Sequence, residues 1–151
     1  MLRTKEKDLH AAVARYLKLK YPGVIFRTDF AAGTKMTMGQ AVRHKALQQG
    51  PGYPDLFIAK AVGGYHGLFM ELKRDISEIV TKDGRERKSD HLAEQREILR
   101  KLNAEGYCAM FACGIDHAMN VIDHYLNGTY NQTPATGSGV DSRTPVEKSN
   151  L

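Results

Sequence analysis

Asp55, Glu71 and Lys73 lie within "GYPDLFIAKAVGGYHGLFMELKRD", residues 52–75, in two stretches that otherwise read as buried strands. A strand interior is a costly place for charge unless the charge meets a partner or an ion. The Gly63-Gly64 pair between the stretches suits a tight hairpin turn. Centring the turn between Val62 and Gly64 pairs Ala61 with Tyr65 and Asp55 with Glu71. Directly opposed antiparallel residues share a face, with Cα atoms about 5 Å apart. Lys73 is two residues beyond Glu71 and points the same way, while Leu68, Met70 and Leu72 point to the core. Two adjacent carboxylates repel unless a cation sits between them, and oxygen ligands of this kind suit Mg²⁺. A Glu-x-Lys pair alone is most often a solvated strand face. The joint pattern is more specific: Pro-Asp opens one strand, Glu-x-Lys lies in the next, and a turn opposes them. Pro54 fits as well, because proline is tolerated at a strand's first residue.

The rest of the chain supplies elements to position this group. In "TKEKDLHAAVARYLKLK", Leu9, Ala12, Val13, Tyr16 and Leu17 follow helical spacing, and Pro22-Gly23 ends the run. "GVIFRTD" predicts a short strand. A loop is expected through Ala32-Gly33, then a helix from about Thr37 stopped by Gly50-Pro51. The mixed charges from Arg74 to Lys88, with Asp83-Gly84 as a turn signal, predict an exposed loop or mobile flap. Ser89 or Asp90 caps a helix with Leu92, Ile98, Leu99 and Leu102 on its apolar face, ending at Gly106. "YCAMFAC" is apolar on both faces and predicts a central strand. Asp116 is expected to cap a last helix carrying Met119, Ile122, Tyr125 and Leu126. The order of elements predicts an α/β fold, a mixed β-sheet flanked by helices. One domain over 1–128 is expected, with a disordered tail over 129–151, where Thr, Ser, Gly, Asn and Pro dominate.

Composition narrows the function classes. The 151 residues, 42% hydrophobic and 26% charged, are ordinary for a globular chain. No apolar run is long enough to span a bilayer and no start resembles a signal peptide, so an intracellular, cytoplasmic protein is the default. A formal charge of +5 and a pI near 9.2 lean modestly toward a polyanionic partner. The only cysteines, Cys108 and Cys113, fall on opposite faces of one strand and cannot bridge each other there. They fit a reducing compartment and are too few for a zinc site. "AAGTK" lacks the glycines and Lys-Ser/Thr of a phosphate loop.

"YPD" followed by "ELK" on adjacent strands resembles the PD-(D/E)XK nuclease superfamily. Together with "EQREILRKLNAEGY", the segments "GYPDLFI" and "GLFMELKRD" resemble its VRR-NUC branch, the virus-type replication-repair nucleases, over roughly Thr4 to Gly114. The resemblance implies a restriction-endonuclease-like fold, with Asp55, Glu71 and the Leu72 carbonyl as ligands of Mg²⁺, which Mn²⁺ can replace. It implies that Lys73 is the catalytic lysine, and that Glu6 and Gln95 match an acid of the first helix and a glutamine of the helix after the lysine. The family commonly has a glutamine about one turn after that acid; this chain has His10. The resemblance further implies hydrolysis of DNA to 5′-phosphate and 3′-hydroxyl ends, on branched DNA such as Holliday junctions, by a homodimer. Another PD-(D/E)XK nuclease, restriction-like or resolvase-like, and a non-catalytic nucleic-acid-binding module are the alternatives.

The residues themselves bear on the outlying positions. Glu6 lies seven before Val13, so it is expected to face inward, although an acid there also suits the helix dipole. Gln95 falls between Leu92 and Leu99 on an apolar stripe and needs a buried partner. His10, His44, His66, His91, His117 and His124 are dispersed without ligand spacing, which favours surface roles. Lys35, Arg43, Lys45 and Arg74 are the candidate phosphate contacts, though solvated faces explain them as well. The last helix, through Ile122 and Tyr125, is the expected dimer interface.

Overall fold

The computed structural model describes residues 6–29 and 35–130. Its elements are α1 (Glu6–Lys20), β1 (Phe26–Thr28), α2 (Met38–Ala46), β2 (Leu56–Ile58), β3 (Leu68–Lys73), α3 (Asp90–Ala104), β4 (Cys108–Cys113) and α4 (Ile115–Leu126), with one 3₁₀ turn at Ile76–Glu78. The strands form one mixed sheet in the order β1-β2-β3-β4, antiparallel except for the parallel β3–β4 pair. This is the α/β architecture expected from the order of elements.

Side-chain alternation along β3 divides the core in two. Leu68, Met70 and Leu72 pack with Leu9, Val13 and Leu17 of α1 and with Ile122 and Tyr125 of α4. Phe69, on the opposite face, packs with Leu92 and Leu99 of α3. Each fully buried leucine contributes about 1.5–3 kcal/mol from burial. Polar contacts fasten the helices further. Asp123 of α4 accepts hydrogen bonds from Tyr16 and Tyr21 and pairs with Lys20 at 2.8 Å. The Tyr125 hydroxyl donates to the Lys60 carbonyl at 2.6 Å.

The hairpin turn works as its glycines predict. Gly63 and Gly64 both take positive φ, 61° and 86°, the backbone of a two-residue turn matched to strand twist. Leu56 opposes Met70 and Ile58 opposes Leu68, the register that puts Asp55 opposite Glu71. At the turn itself Tyr65 bridges to Val62 rather than to the expected Ala61. One extra residue on the β2 side absorbs the shift, a local bulge that leaves the strand register intact.

Four expectations need correction. β4 is the last strand in the sheet order, not a central one. Its two apolar faces are covered by helices, since Cys108 and Ala112 pack toward α1 and α4, and Ala109 and Phe111 toward α3. The segment after β3 is an exposed loop over 82–88, as expected, but a tied-down one rather than a flap: Ile79 is 2% exposed, Val80 bridges Glu86, and the Arg87 N–H donates to the Ile79 carbonyl. Ile79, with Val80 beside it, is a short apolar anchor inside a charged stretch and leaves little periodicity to read. Gly114, not Asp116, is the N-cap of α4 and makes no side-chain cap hydrogen bond. Ile122 and Tyr125 are 0% and 1% exposed, spent on this chain's own core and closed to a partner.

Other boundaries fall near expectation. Ser89 caps α3 by accepting the Leu92 N–H, and Thr37 caps α2 with Gln40 in a reciprocal capping box. Thr129 and Tyr130 are tied to the domain, by hydrogen bonds to His124 and to the Met110 sulfur. The loop expected at Ala32-Gly33, and the rest of the expected tail over 131–151, lie outside the described residues. Among the described residues no helix is long and apolar enough to cross a membrane.

Candidate active site

β2, β3 and α3 bring Asp55, Glu71, Lys73 and Gln95 together in the interior, each 9% exposed or less. Glu71 and Lys73 alternate with Leu72 and so face α3. From α3, Gln95 accepts a hydrogen bond from Lys73 Nζ at 2.9 Å and donates to Glu71 Oε1 at 2.6 Å. Lys73 also reaches Glu71 Oε1 directly, at 3.4 Å. Gln95 occupies the middle of the Leu92–Gln95–Leu99 stripe and finds there the partner its burial demands. The loop before Asp55 is seated on α3 by Gly52. With φ at 88°, a Cβ on Gly52 would stand 2.9 Å from the backbone of Glu94, so only glycine permits the approach.

Asp55 sits just before β2, where the ladder gives out. Its Oδ2 accepts the Leu72 N–H at 2.8 Å. Along β3 the Gly67 and Lys73 carbonyls bond toward β4, so the backbone groups of Leu68, Met70 and Leu72 turn toward β2. The residue that the register places opposite Leu72 is Pro54, which has no N–H to offer the Leu72 carbonyl. Proline thus keeps that carbonyl out of the ladder, beside the Asp55 carboxylate.

Electrostatics make this a strained pair of acids. Burial pushes the Asp55 carboxyl above its ordinary range, opposed by His10 and by the Leu72 N–H. Burial and the Asp55 charge push Glu71 much further up, with Lys73 pulling the other way. Glu71 Oε2 is buried without a hydrogen-bond partner. These observations fit a divalent cation, which would relieve the repulsion and occupy the orphaned oxygen. Among the described residues no three His, Cys, Asp or Glu side chains form a ready-made cage. An ion would therefore complete its shell with the Leu72 carbonyl, water and substrate oxygens, as Mg²⁺ does and structural Zn²⁺ does not.

The outlying residues sort unevenly. Glu6 is exposed rather than inward, because it starts α1, beyond the reach of the core; its charge is still felt at Asp55. His10 is the residue that spacing alone missed. It is 7% exposed, with Nε2 3.8 Å from Asp55 Oδ2, contrary to the expected surface role. His10, Val13 and Leu17 repeat at i, i+3 and i+7, the signal that marks Gln95 on α3. Lys35, Arg43 and Lys45 are exposed at and near α2. Arg74 is half-buried and ion-paired with Glu78, so its guanidinium is already engaged. A cleft of about 460 Å³ opens on Lys73, walled by Thr81, Arg87, Lys88, Ser89 and His91. It puts the folded 79–88 segment beside the lysine, a placement the sequence pattern did not show.

Neither a protein-family model nor a curated protein matches the sequence. Among solved structures, one described as "VRR_NUC domain protein" superposes with a TM-score of 0.59 at 28% identity, covering 83% of this chain and 91% of that one. A second, described as "VRR_NUC domain", superposes with a TM-score of 0.43 at 18% identity, covering 78% of this chain and 97% of that one. The first of these is alike in fold and sequence over most of both chains, and this likeness supports a VRR-NUC domain built on the sheet that opposes Asp55 to Glu71.

Proposed function

We propose that this chain is a divalent-metal-dependent endonuclease that hydrolyses DNA phosphodiesters and selects branched DNA such as four-way junctions. The observation that carries this reading is the buried convergence of Asp55, Glu71, Lys73 and Gln95. A cation held by Asp55, Glu71 and the Leu72 carbonyl, Mg²⁺ or Mn²⁺, would polarise the scissile phosphate and acidify a bound water. The chain's own groups do the rest. Lys73 has three N–H donors, of which Gln95 and Glu71 engage two. The third is available to orient the water or to meet charge developing on the phosphate. Gln95 fixes both Lys73 and Glu71, so it is a positioning residue.

A site of this kind breaks one strand per event, whereas resolving a four-way junction needs two related cuts. A two-fold homodimer supplies both without further sequence, and two-fold dimers are the commonest soluble assembly. The inward face of α4 is excluded as the interface by its burial. An intracellular setting suits Cys108 and Cys113, neither of which forms a disulfide.

One cleavage panel tests the reading: duplex, single-stranded, flap and four-way DNA, each with Mg²⁺, with Mn²⁺ and with chelator. Metal-dependent cleavage of branched substrates, with paired symmetric nicks on the four-way junction, is the expected result. DNA binding without cleavage under every condition would leave a non-catalytic module. Cleavage of linear duplex at one short sequence would point to a restriction-like enzyme. Light scattering on the DNA-free protein tests the dimer separately.

A further inference from the structure

Tyr53, two residues before Asp55, is 58% exposed, and among the described residues no other phenylalanine or tyrosine is as open. A lone exposed apolar residue is ordinary on a surface; this one is held in place. On one side Gly52 is seated against the α3 backbone at Glu94, and on the other the Pro54 side chain is fully buried. Proline also keeps the residue before it extended. The Tyr53 ring therefore projects from a pinned backbone. It meets Phe69 edge-on, with ring centroids 5.8 Å apart. Phe69 alternates along β3 with Glu71 and Lys73 and shares their face. Phe69 in turn stacks on Phe57 at 4.4 Å and meets Tyr107 at 5.1 Å. The acid pair thus adjoins an aromatic shelf whose outer member is open to solvent. Charge around the shelf suits a polyanion. Arg27, exposed on β1, stands opposite Phe57, and its charge is felt at the Tyr53 hydroxyl. α2, which leads into this loop, has Arg43, His44 and Lys45 in its last turn.

We propose that Tyr53 is a stacking platform for an unpaired base of a nucleic-acid strand, and that it gives the site a preference for flaps and opened branches over closed duplex. The proposal rests on the nuclease reading of the same site for its substrate. Every base has a π-face, which pairing and stacking hide in a duplex and which a flap or an opened branch frees. Stacking on an aromatic side chain needs no particular base, so it selects unpaired structure and not sequence. A ring on a pinned backbone loses little freedom when a base covers it. Two residues of extended chain, about 7 Å, separate Tyr53 from Asp55. A base stacked on the ring therefore brings its neighbouring phosphodiester toward the acids, with Arg27 close enough to meet a backbone phosphate.

The test uses the full chain in chelator, so it needs neither metal nor turnover. Its probes are oligothymidylate of about ten nucleotides and a closed duplex, with binding read by fluorescence anisotropy. Tyr53→Ala should weaken binding of the single strand about tenfold and of the duplex less than about twofold. Tyr53→Phe should bind the single strand as the unaltered protein does, and Tyr53→Leu should lose as much as Tyr53→Ala, because the ring and not its bulk is at work. The chain has no tryptophan, so Tyr53→Trp sets a single indole at this position. Its emission should be quenched as oligothymidylate binds, a stacking signature that a structural role would not give. Unchanged single-strand binding in Tyr53→Ala, equal losses on single strand and duplex, or an unquenched indole in the bound complex would overturn the platform and leave the metal site standing. Failure of the unaltered protein to bind either probe would overturn it together with the nucleic-acid reading.

Discussion

The Asp55 carboxylate accepts the backbone N–H of Leu72 at 2.8 Å, taking the place that a backbone carbonyl fills elsewhere in an antiparallel ladder. The exchange is possible because Pro54 opens β2 and cannot donate to β3. One side chain thus ends the hairpin ladder, satisfies the Leu72 N–H and sets a carboxylate beside Glu71. Charge at this position serves the strand's hydrogen bonding and, in the proposed nuclease, the site's chemistry together.

Replacing either acid should separate these two services. Asp55→Asn keeps an oxygen for the Leu72 N–H, and Glu71→Gln keeps an oxygen for the Gln95 side-chain N–H, so both variants should fold. Cleavage should fall by roughly 10²–10³-fold or more. Without metal, both should melt above the unaltered protein, because a repulsive buried charge has gone. Wild-type cleavage by both variants would end the assignment of these carboxylates.

The same repulsion sets a pH dependence with a definite sign. Burial and Asp55 raise the Glu71 carboxyl in the folded chain, so between its unfolded and folded values the folded state binds more protons. Stability is then fully present below the unfolded value, about 4.3, and is lost as pH rises through the folded one. Asp123 has the opposite sign: although burial raises its pKa, hydrogen bonds from Lys20, Tyr16 and Tyr21 outweigh this and hold it low. Its contribution is present above the ordinary carboxylate range and fades in acid. Metal-free thermal melts should therefore lose stability from mildly acidic pH upward. Glu71→Gln should flatten that slope, and Asp123→Asn should not. A slope unchanged in Glu71→Gln would show that Glu71 titrates as an ordinary carboxyl.

Lys73 and Gln95 should separate by how they act. Lys73→Ala removes the cation that would face the reacting groups in the proposed reaction, and cleavage should drop about 10²–10³-fold. Metal affinity should hold or improve slightly, since a nearby positive charge opposes cation binding. Gln95→Ala leaves the lysine and Glu71 in place but unheld, at a cost of about 10–100-fold in activity or metal affinity. Gln95→Glu restores an acceptor for Lys73 but sets an acid against Glu71, so it should not rescue. Measured side by side, cleavage rates and Mn²⁺ titrations give both comparisons. Normal turnover in Lys73→Ala would reduce the lysine to a structural partner of Gln95.

Much of this site was legible because its geometry is local. Gly63-Gly64 marks a hairpin, but its two-residue turn alone would put Leu56 against Glu71; the extra residue on the β2 side restores the register that puts Asp55 there. Gln95 was legible from a break in an apolar stripe. His10 breaks its stripe in the same way, yet histidine is common on surfaces, and the mutual spacing of the six histidines says nothing of each one's place on a helix. Glu6 sits on the inward meridian of α1, but a meridian does not tell where packing stops along the helix axis. The position of β4 was harder still. Apolar residues on both faces report cover, and two helices cover a strand as completely as two neighbouring layers do in a sheet's middle. The fold of 74–88 rests on Ile79, with Val80 partly buried beside it, too few apolar residues among charges to give a periodic signal.

The basic residues offer a prediction about binding in which the structure separates the four candidates. From Lys35 to Gln49 the chain carries Lys35, Arg43, His44 and Lys45 and no acid, and α2 buries none of its residues. Arg43 and Lys45 are exposed, so each should give one phosphate contact if the proposed DNA binding runs past α2. Arg74 is held by Glu78 and should give little. Affinity for a four-way junction should then fall steeply with salt and depend weakly on sequence. Arg43→Ala and Lys45→Ala should each weaken binding across all sequences and reduce the logarithmic salt slope by about 1. Arg74→Ala should move the slope less than either, while releasing the Glu78 carboxylate beside the cleft that opens on Lys73. Fluorescence anisotropy between about 50 and 200 mM salt reads all three slopes. Equal slopes for the unaltered protein and for Arg43→Ala and Lys45→Ala would place the DNA elsewhere on the surface, whatever becomes of the metal site.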